Sequence, residues 1–188
     1  MKLFTSDLHA FHKNICKFTN RHLVTNTENH EEWLVNLWNS QATQSDLVYI
    51  LGDISFGKFD QTKEVLQRLQ GQKIVIKGNH DNEQNLNRLK YDGVITAWKL
   101  YDEIEIQGVK ACLMHYPIAS WNRQHYGSLM LHGHSHGMYQ GQGKILDVGI
   151  DSAYSIFGEH RLFSEENVVN FMYTREIYIT DSHRKEAK

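Results

Sequence analysis

Long hydrophobic runs are missing from this 188-residue chain. No stretch approaches the roughly 18 apolar residues that span a bilayer. The opening MKLFTSDLH lacks the apolar centre of a signal peptide and reads as a first strand. Cysteine is scarce: Cys16 and Cys112 are isolated, which excludes a disulfide framework and a thiolate zinc knot. Both lie in apolar stretches and are expected to be buried thiols. Proline occurs once, at Pro117, and there is no linker rich in Pro or Gly, no repeat and no low-complexity tract. Charge of one sign is not in excess either: 20 Lys and Arg face 22 Asp and Glu, a net −2 with histidine neutral. Such a balance does not point to a nucleic-acid backbone as partner. The small cluster Lys13, Lys17 and Arg21 reads as a solvated face. The expectation is a cytoplasmic protein without membrane contact, one domain over residues 1–180 and a frayed charged tail over 181–188.

Histidine is what the chain has in quantity: 12 residues, of the type that is the commonest metal ligand and a frequent acid–base group. Their placement decides their meaning. Lys2 to Ser6 alternates and breaks into Asp7-Leu8-His9, a strand ending in a ligand-bearing loop. Asn29 and Glu32 have capping-box spacing, and Trp33, Leu34, Leu37 and Trp38 carry a helix to about Ser40. Leu47 to Leu51 is an all-apolar buried strand ending at Gly52-Asp53. Asp60 is placed to cap a helix bearing Val65, Leu66 and Leu69, which Gly71 stops. Lys73 to Ile76 is the next strand, ending at Gly78-Asn79-His80-Asp81, and a short helix follows Asn82 to about Leu89. This alternation predicts a parallel sheet whose strand ends share one edge, where open α/β sheets bind ligands. From Ala97 the pattern changes. Leu100–Ile106, Val109–Met114, Leu129–Leu131 and Ile145–Val148 predict a second, more antiparallel sheet. Ser164 caps a last helix containing Val168, Val169 and Met172.

Five clusters share one syntax, an apolar run and then ligand-type side chains: Asp7-x-His9, Gly52-Asp53, Gly78-Asn79-His80-Asp81, His115 and Gly133-His134-Ser135-His136. This mixture of nitrogen and oxygen donors suits Mn, Fe, Zn or Ni and exceeds what one ion needs. Singly, Asp7 or His115 reads as a surface or capped residue, and HGHSH as a surface tract. Together and in order, they read as the donors of a two-ion centre. The order D-x-H, G-D, G-N-H-D, H and G-H-x-H resembles the calcineurin-like metallophosphoesterase superfamily. SDLHAFHKNICKF, LVYILGDISFG, IVIKGNHD, MHYPIASWN, LMLHGHSHG and LDVGID resemble a group of small single-domain phosphoesterases from bacteria and phages. The likeness runs from about Lys2 to Val169 and implies an α/β (α+β) fold, a four-layer αββα sandwich of two mixed sheets flanked by helices.

The resemblance also implies roles. Asp7, His9 and His136 would hold one metal, Asn79, His115 and His134 the other, and Asp53 would bridge them. His80 would lie beside the pair, contact the scissile phosphate and protonate the leaving oxygen, with Asp81 as its orienting partner. Elementary chemistry agrees. Two cations about 3.5–4 Å apart neutralise an anionic ester and clamp its attacking and leaving oxygens. A water acidified towards a pKa of ~7 is a nucleophile at neutral pH, and a histidine near its ordinary pKa can protonate an alkoxide. The expected cofactors are two divalent ions, manganese first, with iron, zinc or nickel as alternatives.

Other residues carry weaker signals. His12, in the H-K-N after D-x-H, and Arg123, between two ligand motifs, are candidates for contact with substrate phosphate. A surface histidine is the competing reading for His12, and Trp121 in the same loop as Arg123 is as easily a packing residue. Asp151 is either the partner of a ligating histidine or a turn residue. His132 reads as a strand residue, and His22, His30, His160 and His183 as surface. Protein Ser/Thr phosphatases of the superfamily carry G-D-x-x-D-R-G; here Phe56 stands in place of the second Asp and the Arg is missing, which speaks against that activity. Ala10-Phe11 departs from the Phe-Gly of the closer group. The expected activity is hydrolysis of phosphomonoesters or phosphodiesters of a small or nucleotide-like substrate. A nuclease acting on DNA or RNA ends is the alternative, and a non-catalytic scaffold the third reading. The sequence does not specify an oligomeric state.

Overall fold

Short apolar strands build two sheets in the computed structural model, which describes residues 1–139 and 141–179. In chain order the elements are β1 (Lys2–Thr5), α1 (Ile15–Phe18), α2 (His30–Asn39), β2 (Leu47–Ile50), α3 (Phe59–Arg68), β3 (Gln72–Ile76), α4 (Glu83–Tyr91), β4 (Ala97–Lys99), β5 (Tyr101–Ile106), β6 (Val109–Met114), β7 (Leu129–His132), β8 (Ile145–Asp147), α5 (Ile150–Phe157), β9 (Phe163–Ser164) and α6 (Glu165–Tyr173), with 3₁₀ turns at Asn20–Leu23 and Gln124–Tyr126. The expected frayed tail, 181–188, lies outside the described residues.

One sheet has the order β4-β3-β2-β1-β9, the other β5-β6-β7-β8. β1 to β4 are parallel, as the strand–helix alternation requires, and β9 adds antiparallel to β1. The second sheet departs from expectation. Only β5 and β6 pair antiparallel; β6–β7 and β7–β8 are parallel. The long connections 115–128 and 133–144 carry the chain back across the sheet, the length a parallel crossover demands.

Period-two alternation sorts the side chains into layers. Leu3, Val48, Ile50 and Val75 meet α2, α3 and α4 through Leu34, Trp38, Leu66, Leu86 and Leu89. Phe4, Tyr49, Leu51 and Ile76 face Ala111, Leu113, Leu129, Leu131 and Leu146 across the sandwich, with Val168, Val169 and Met172 of α6 in the same cluster. Cys112, Met130 and Ile145 on the outer face of the second sheet are covered by Ile118 and Trp121, so that layer is a loop with one 3₁₀ turn. The fold is thus α/β, two mixed sheets with flanking helices.

Helix ends follow local chemistry. Asn82 Oδ1 accepts the Asn85 N–H at 3.1 Å, and Ser164 exchanges bonds with Asn167 at 3.1 Å each way. Two expectations need correcting. Asn29 occupies the N-cap of α2 but its side chain makes no capping bond there, and Glu32 pairs with Arg68 of α3 at 2.5 Å instead of turning back. α3 starts at Phe59, with Gln61 Oε1 accepting the Lys58 N–H at 3.0 Å; Asp60 sits inside the first turn, where its charge suits the helix dipole. No helix among the described residues is long and apolar enough to cross a membrane.

Candidate metal centre

Because β1, β2 and β3 are parallel neighbours, their C-terminal ends lie side by side, as do those of β6 and β7. Each end opens into one of the five clusters. Backbone bonds stitch the loops together: Asp7 N–H to Gly52 O and His9 N–H to Asp53 O, both 3.0 Å, and Gly133 N–H to His115 O, 2.9 Å. His115 Nδ1 lies 2.6 Å from Leu51 O and so ties the second sheet to the first. Gly52 has φ +92°, and a Cβ there would come within 2.5 Å of His115 Nδ1 and 2.6 Å of Gly78 Cα. Only glycine lets these three loops close.

Two donor sets result: Asp7, His9 and His136 in one, Asp53, His115 and His134 in the other, with the donor atoms of each set within 4.8 Å of one another. Asn79 joins the second, its Oδ1 2.9 Å from His115 Nε2. Asp53 Oδ2 stands between the sets, 3.5 Å from His115 Nε2 and 3.9 Å from His9 Nε2. All seven residues singled out by the motifs are gathered here. Five of them, Asp7, His9, Asp53, His134 and His136, take left-handed backbone with φ between 48° and 69°. For residues with a Cβ that costs roughly 1 kcal/mol each, and such strain clusters where side chains must be aimed.

The residues fit metal ions. Asp7 Oδ1 and both ring nitrogens of His9 are buried without a hydrogen-bond partner, a costly state unless something satisfies them. Asp7 Oδ2, in contrast, is held by the Ser6 hydroxyl and by the His134 N–H at 2.9 Å. That leaves Oδ1 as the free donor, 3.6 Å from His9 Nε2 and 4.0 Å from His136 Nε2. Burial pushes the Asp7 carboxyl up, but the His9 and His136 rings and the Ser6 hydroxyl outweigh it and hold the group below its ordinary value. That favours the ionised form a ligand needs.

Behind the first set lies a charged hub that the sequence hid. His136 Nδ1 is 2.7 Å from Asp151 Oδ2, which fixes its Nε2 as the atom facing Asp7. Asp151 accepts two bonds from Arg21, both 2.9 Å. Arg21 is fully buried, and it also donates to the carbonyls of Asp7 (2.6 Å) and Leu8 (2.8 Å) and meets His30 Nε2 at 3.1 Å. The solvated reading of Arg21 and the surface reading of His30 are therefore both wrong. Asp151 is the histidine partner, not a turn residue. Burial lowers the basicity of His136, but Asp151 and Asp7 more than restore it. His160 is buried too, packed against Trp33 and Tyr154. His132 is a buried β7 residue, His22 is exposed, and His183 lies outside the described residues.

The remaining candidates sort by position. The His80 ring lies beside both sets, its Nε2 3.9 Å from Asp53 Oδ2, and its own N–H donates to Asp53 Oδ1 at 2.9 Å. Asp81 was expected to orient that ring. Its carboxylate instead accepts the backbone N–H groups of Gly78 (2.8 Å), Asp53 (2.9 Å) and Ile54 (3.0 Å), so it shapes the loops. His12 stands at the rim, ring centroids 5.7 Å from His9. Arg123 is not brought to the donors. It starts the 3₁₀ turn over the outer face of the second sheet, with its guanidinium 5.5 Å from the Tyr126 ring. Trp121 packs beside it and donates to Ser128 O at 3.1 Å. Tyr116, 4.7 Å from the His134 ring, and Phe56, 4.5 Å from the His80 ring, form apolar walls.

Paired carboxylate–imidazole donor sets at the strand ends of a two-sheet sandwich define a class. The chain belongs to the calcineurin-like phosphoesterase superfamily, whose domain profile matches residues 1–148. The gene 66 protein of Mycobacterium phage L5 is 29% identical over 162 residues, 71% of this chain and 76% of the phage protein. The uncharacterized protein MJ1445 of Methanocaldococcus jannaschii is 33% identical over 133 residues, 70% of this chain and 66% of its own. In fold, the chain is similar to the crystal structure of AQ665 from Aquifex aeolicus, a protein of unknown function, at a TM-score of 0.67 and 22% identity over 91% of this chain and 98% of that one.

Proposed function

We propose that this protein hydrolyses phosphomonoesters or phosphodiesters of a small or nucleotide-like substrate with two divalent metal ions. The observation that carries the reading is the place of Asp53 Oδ2 between two donor sets, each of which already has a buried imidazole. When bound, the ions supply charge neutralisation of the phosphate and an acidified water as nucleophile. Manganese is the first choice, and iron, zinc or nickel suit the same donors.

The chain's own groups do the rest. Asp7 and Asp53 supply the negative charge that holds cations, while the neutral Asn79 limits the repulsion an anionic ester meets. His80, with its side chain 45% exposed and outside both sets, is free to bond a phosphate oxygen. As a hydroxide oxygen joins phosphorus and the P–O bond to the alcohol breaks, a proton passed from the His80 ring would neutralise the leaving alkoxide. Two buried, unpaired thiols fit a reducing compartment, which supports a cytoplasmic location.

Metal analysis and turnover test this reading together. The expected result is two ions per chain, with hydrolysis of p-nitrophenyl phosphate or its bis ester that a chelator abolishes. A protein that binds no metal in manganese-replete buffer would instead be a scaffold on this fold.

A further inference from the structure

Phe56 supplies no donor atom, yet its ring stands among the imidazoles of the site, 5.4 Å from His9 and 4.5 Å from each of His12 and His80. It is 43% exposed. Its loop is not loose. The Phe56 N–H donates to Ala10 O at 2.8 Å, and the Gly57 N–H to Ser55 Oγ at 2.9 Å. At Gly57 a Cβ would come within 2.5 Å of the Phe11 ring. The backbone that carries this ring is therefore tied down at the mouth of the centre, and the ring is open to whatever enters.

A cleft lies on either side of it. One, of about 420 Å³, is lined by Phe11, His12, Lys13, Phe56, Lys58 and Gln61 among others. Its size is that of a small-molecule site, about 300–1,000 Å³. Aromatic rings, two lysines and an amide, with the Glu31 carboxylate engaged by the Phe11 N–H at 2.6 Å, make it suited to a flat, polar-edged group. The other, of about 260 Å³, is lined by Phe56, His80, Asn82 and Asn85. It opens beside the histidine assigned to the leaving group.

We propose that Phe56 is a stacking platform for the ring-bearing group of the substrate, and that the clefts on its two sides each take one organic arm of a nucleotide-type phosphodiester. The inference rests on the phosphoesterase reading and deepens it. A phosphate at the donor sets has room for a retained nucleoside on the His12 side and a leaving alcohol on the His80 side. A monoester fills only one cleft.

Esters with one leaving group test this cleanly. Thymidine 5′-(p-nitrophenyl) phosphate, methyl p-nitrophenyl phosphate and p-nitrophenyl phosphate all release p-nitrophenol. In manganese-loaded protein, kcat/KM for the thymidine diester should exceed that for the methyl diester about tenfold or more, the effect of one base stacked on an aromatic ring. It should also exceed that for the monoester. Phe56→Ala and Phe56→Leu should both collapse the thymidine-to-methyl ratio towards one, and Phe56→Tyr should keep it. A ratio near one in the wild type, or unchanged in both Ala and Leu variants, overturns the platform; faster monoester turnover overturns the two-armed layout. If none of the esters is cleaved, the hydrolase reading fails separately, and calorimetric binding of thymidine 5′-monophosphate still decides. About tenfold weaker binding in Phe56→Ala supports the platform, and equal affinity ends it.

Discussion

Asp151→Asn removes one charge from a buried chain of contacts that ends on a donor imidazole. The carboxylate accepts two bonds from Arg21 and lies 2.7 Å from His136 Nδ1, and Arg21 has no exposure to water. Breaking a buried ion pair by removing one partner costs about 3–5 kcal/mol. Asparagine keeps hydrogen-bonding atoms in place, so the lower end, about 3 kcal/mol, is expected. The dependence on pH has a definite sign. Burial raises the Asp151 carboxyl, but Arg21 and His136 outweigh it and hold it far below its ordinary 3.8. A carboxylate depressed by folding contributes stability that is present above the unfolded value and is lost as pH falls below it. The wild type should therefore exceed the variant by most at pH ~7, with the gap closing in acid below pH ~4. Urea unfolding of chelator-treated protein across that range reads both quantities. Equal stabilities at neutral pH, or a gap that widens in acid, would refute the hub as described. A second readout separates positioning from bulk stability. Loss of an orienting partner weakens metal affinity by about 10–100-fold, and in the proposed two-ion arrangement His136 would serve one ion alone. Calorimetric titration with manganese should show one weakened site and one intact; two sites weakened alike would contradict the assignment.

The other predictions are briefer. Asp53→Asn should lower the metal content of both sets at once, since its Oδ2 stands between them; unchanged stoichiometry by elemental analysis would show that the carboxylate does not bridge. His80→Ala should retain its ions and lose about 10²–10⁴-fold on esters of poor leaving alcohols. It should lose much less on p-nitrophenyl esters, and an equal loss on both removes His80 from the acid role. Gly133→Ala puts a methyl against Ser6 Oγ and 2.7 Å from Asp7 Oδ2, so it should cost about 1–3 kcal/mol in stability and weaken metal uptake. A variant that melts and loads like the wild type would mean the loops can separate.

The candidate donors were legible because each cluster follows a short apolar run, and parallel strands end at a common edge. Asp7, Asp53, Asn79 and His115 needed no more than that, and the left-handed turns at Gly52 and Asp53 agree with the glycine seen in the motif. What stayed hidden were contacts between residues far apart in sequence. Arg21 sits in a polar stretch beside Lys17 and His22, and only the return of α5, about 130 positions later, brings Asp151 to neutralise it. Arg123 shows the reverse. A basic residue between two ligand motifs looked close to phosphate, but the connection it lies in crosses the outer face of the second sheet to reach β7. The parallel pairing of β6, β7 and β8 was missed for the same reason: a strand's own residues do not say from which side its neighbour arrives.

Carboxylates divide into two kinds at this edge, and the division explains how a strained site is held. Asp7 and Asp53 point into the donor sets. Asp81 and Asp147 are also buried but hold the loops, and buried Asp151 backs the His136 ring. Asp81 gathers the N–H groups of Gly78, Asp53 and Ile54, fixing the β2 loop on the β3 loop. Asp147 accepts from Ser135 Oγ, Gly137 N–H and Gly149 N–H, pinning the turn that carries His134 and His136. Asp151, through Arg21, pulls the carbonyls of the β1 loop towards α5. Charge-assisted bonds to a buried carboxylate contribute about 1.5–3 kcal/mol each, enough to offset roughly 1 kcal/mol of left-handed strain at each neighbouring donor. The acids that lie outside both donor sets are what let the acids and imidazoles within them keep an otherwise unfavourable backbone.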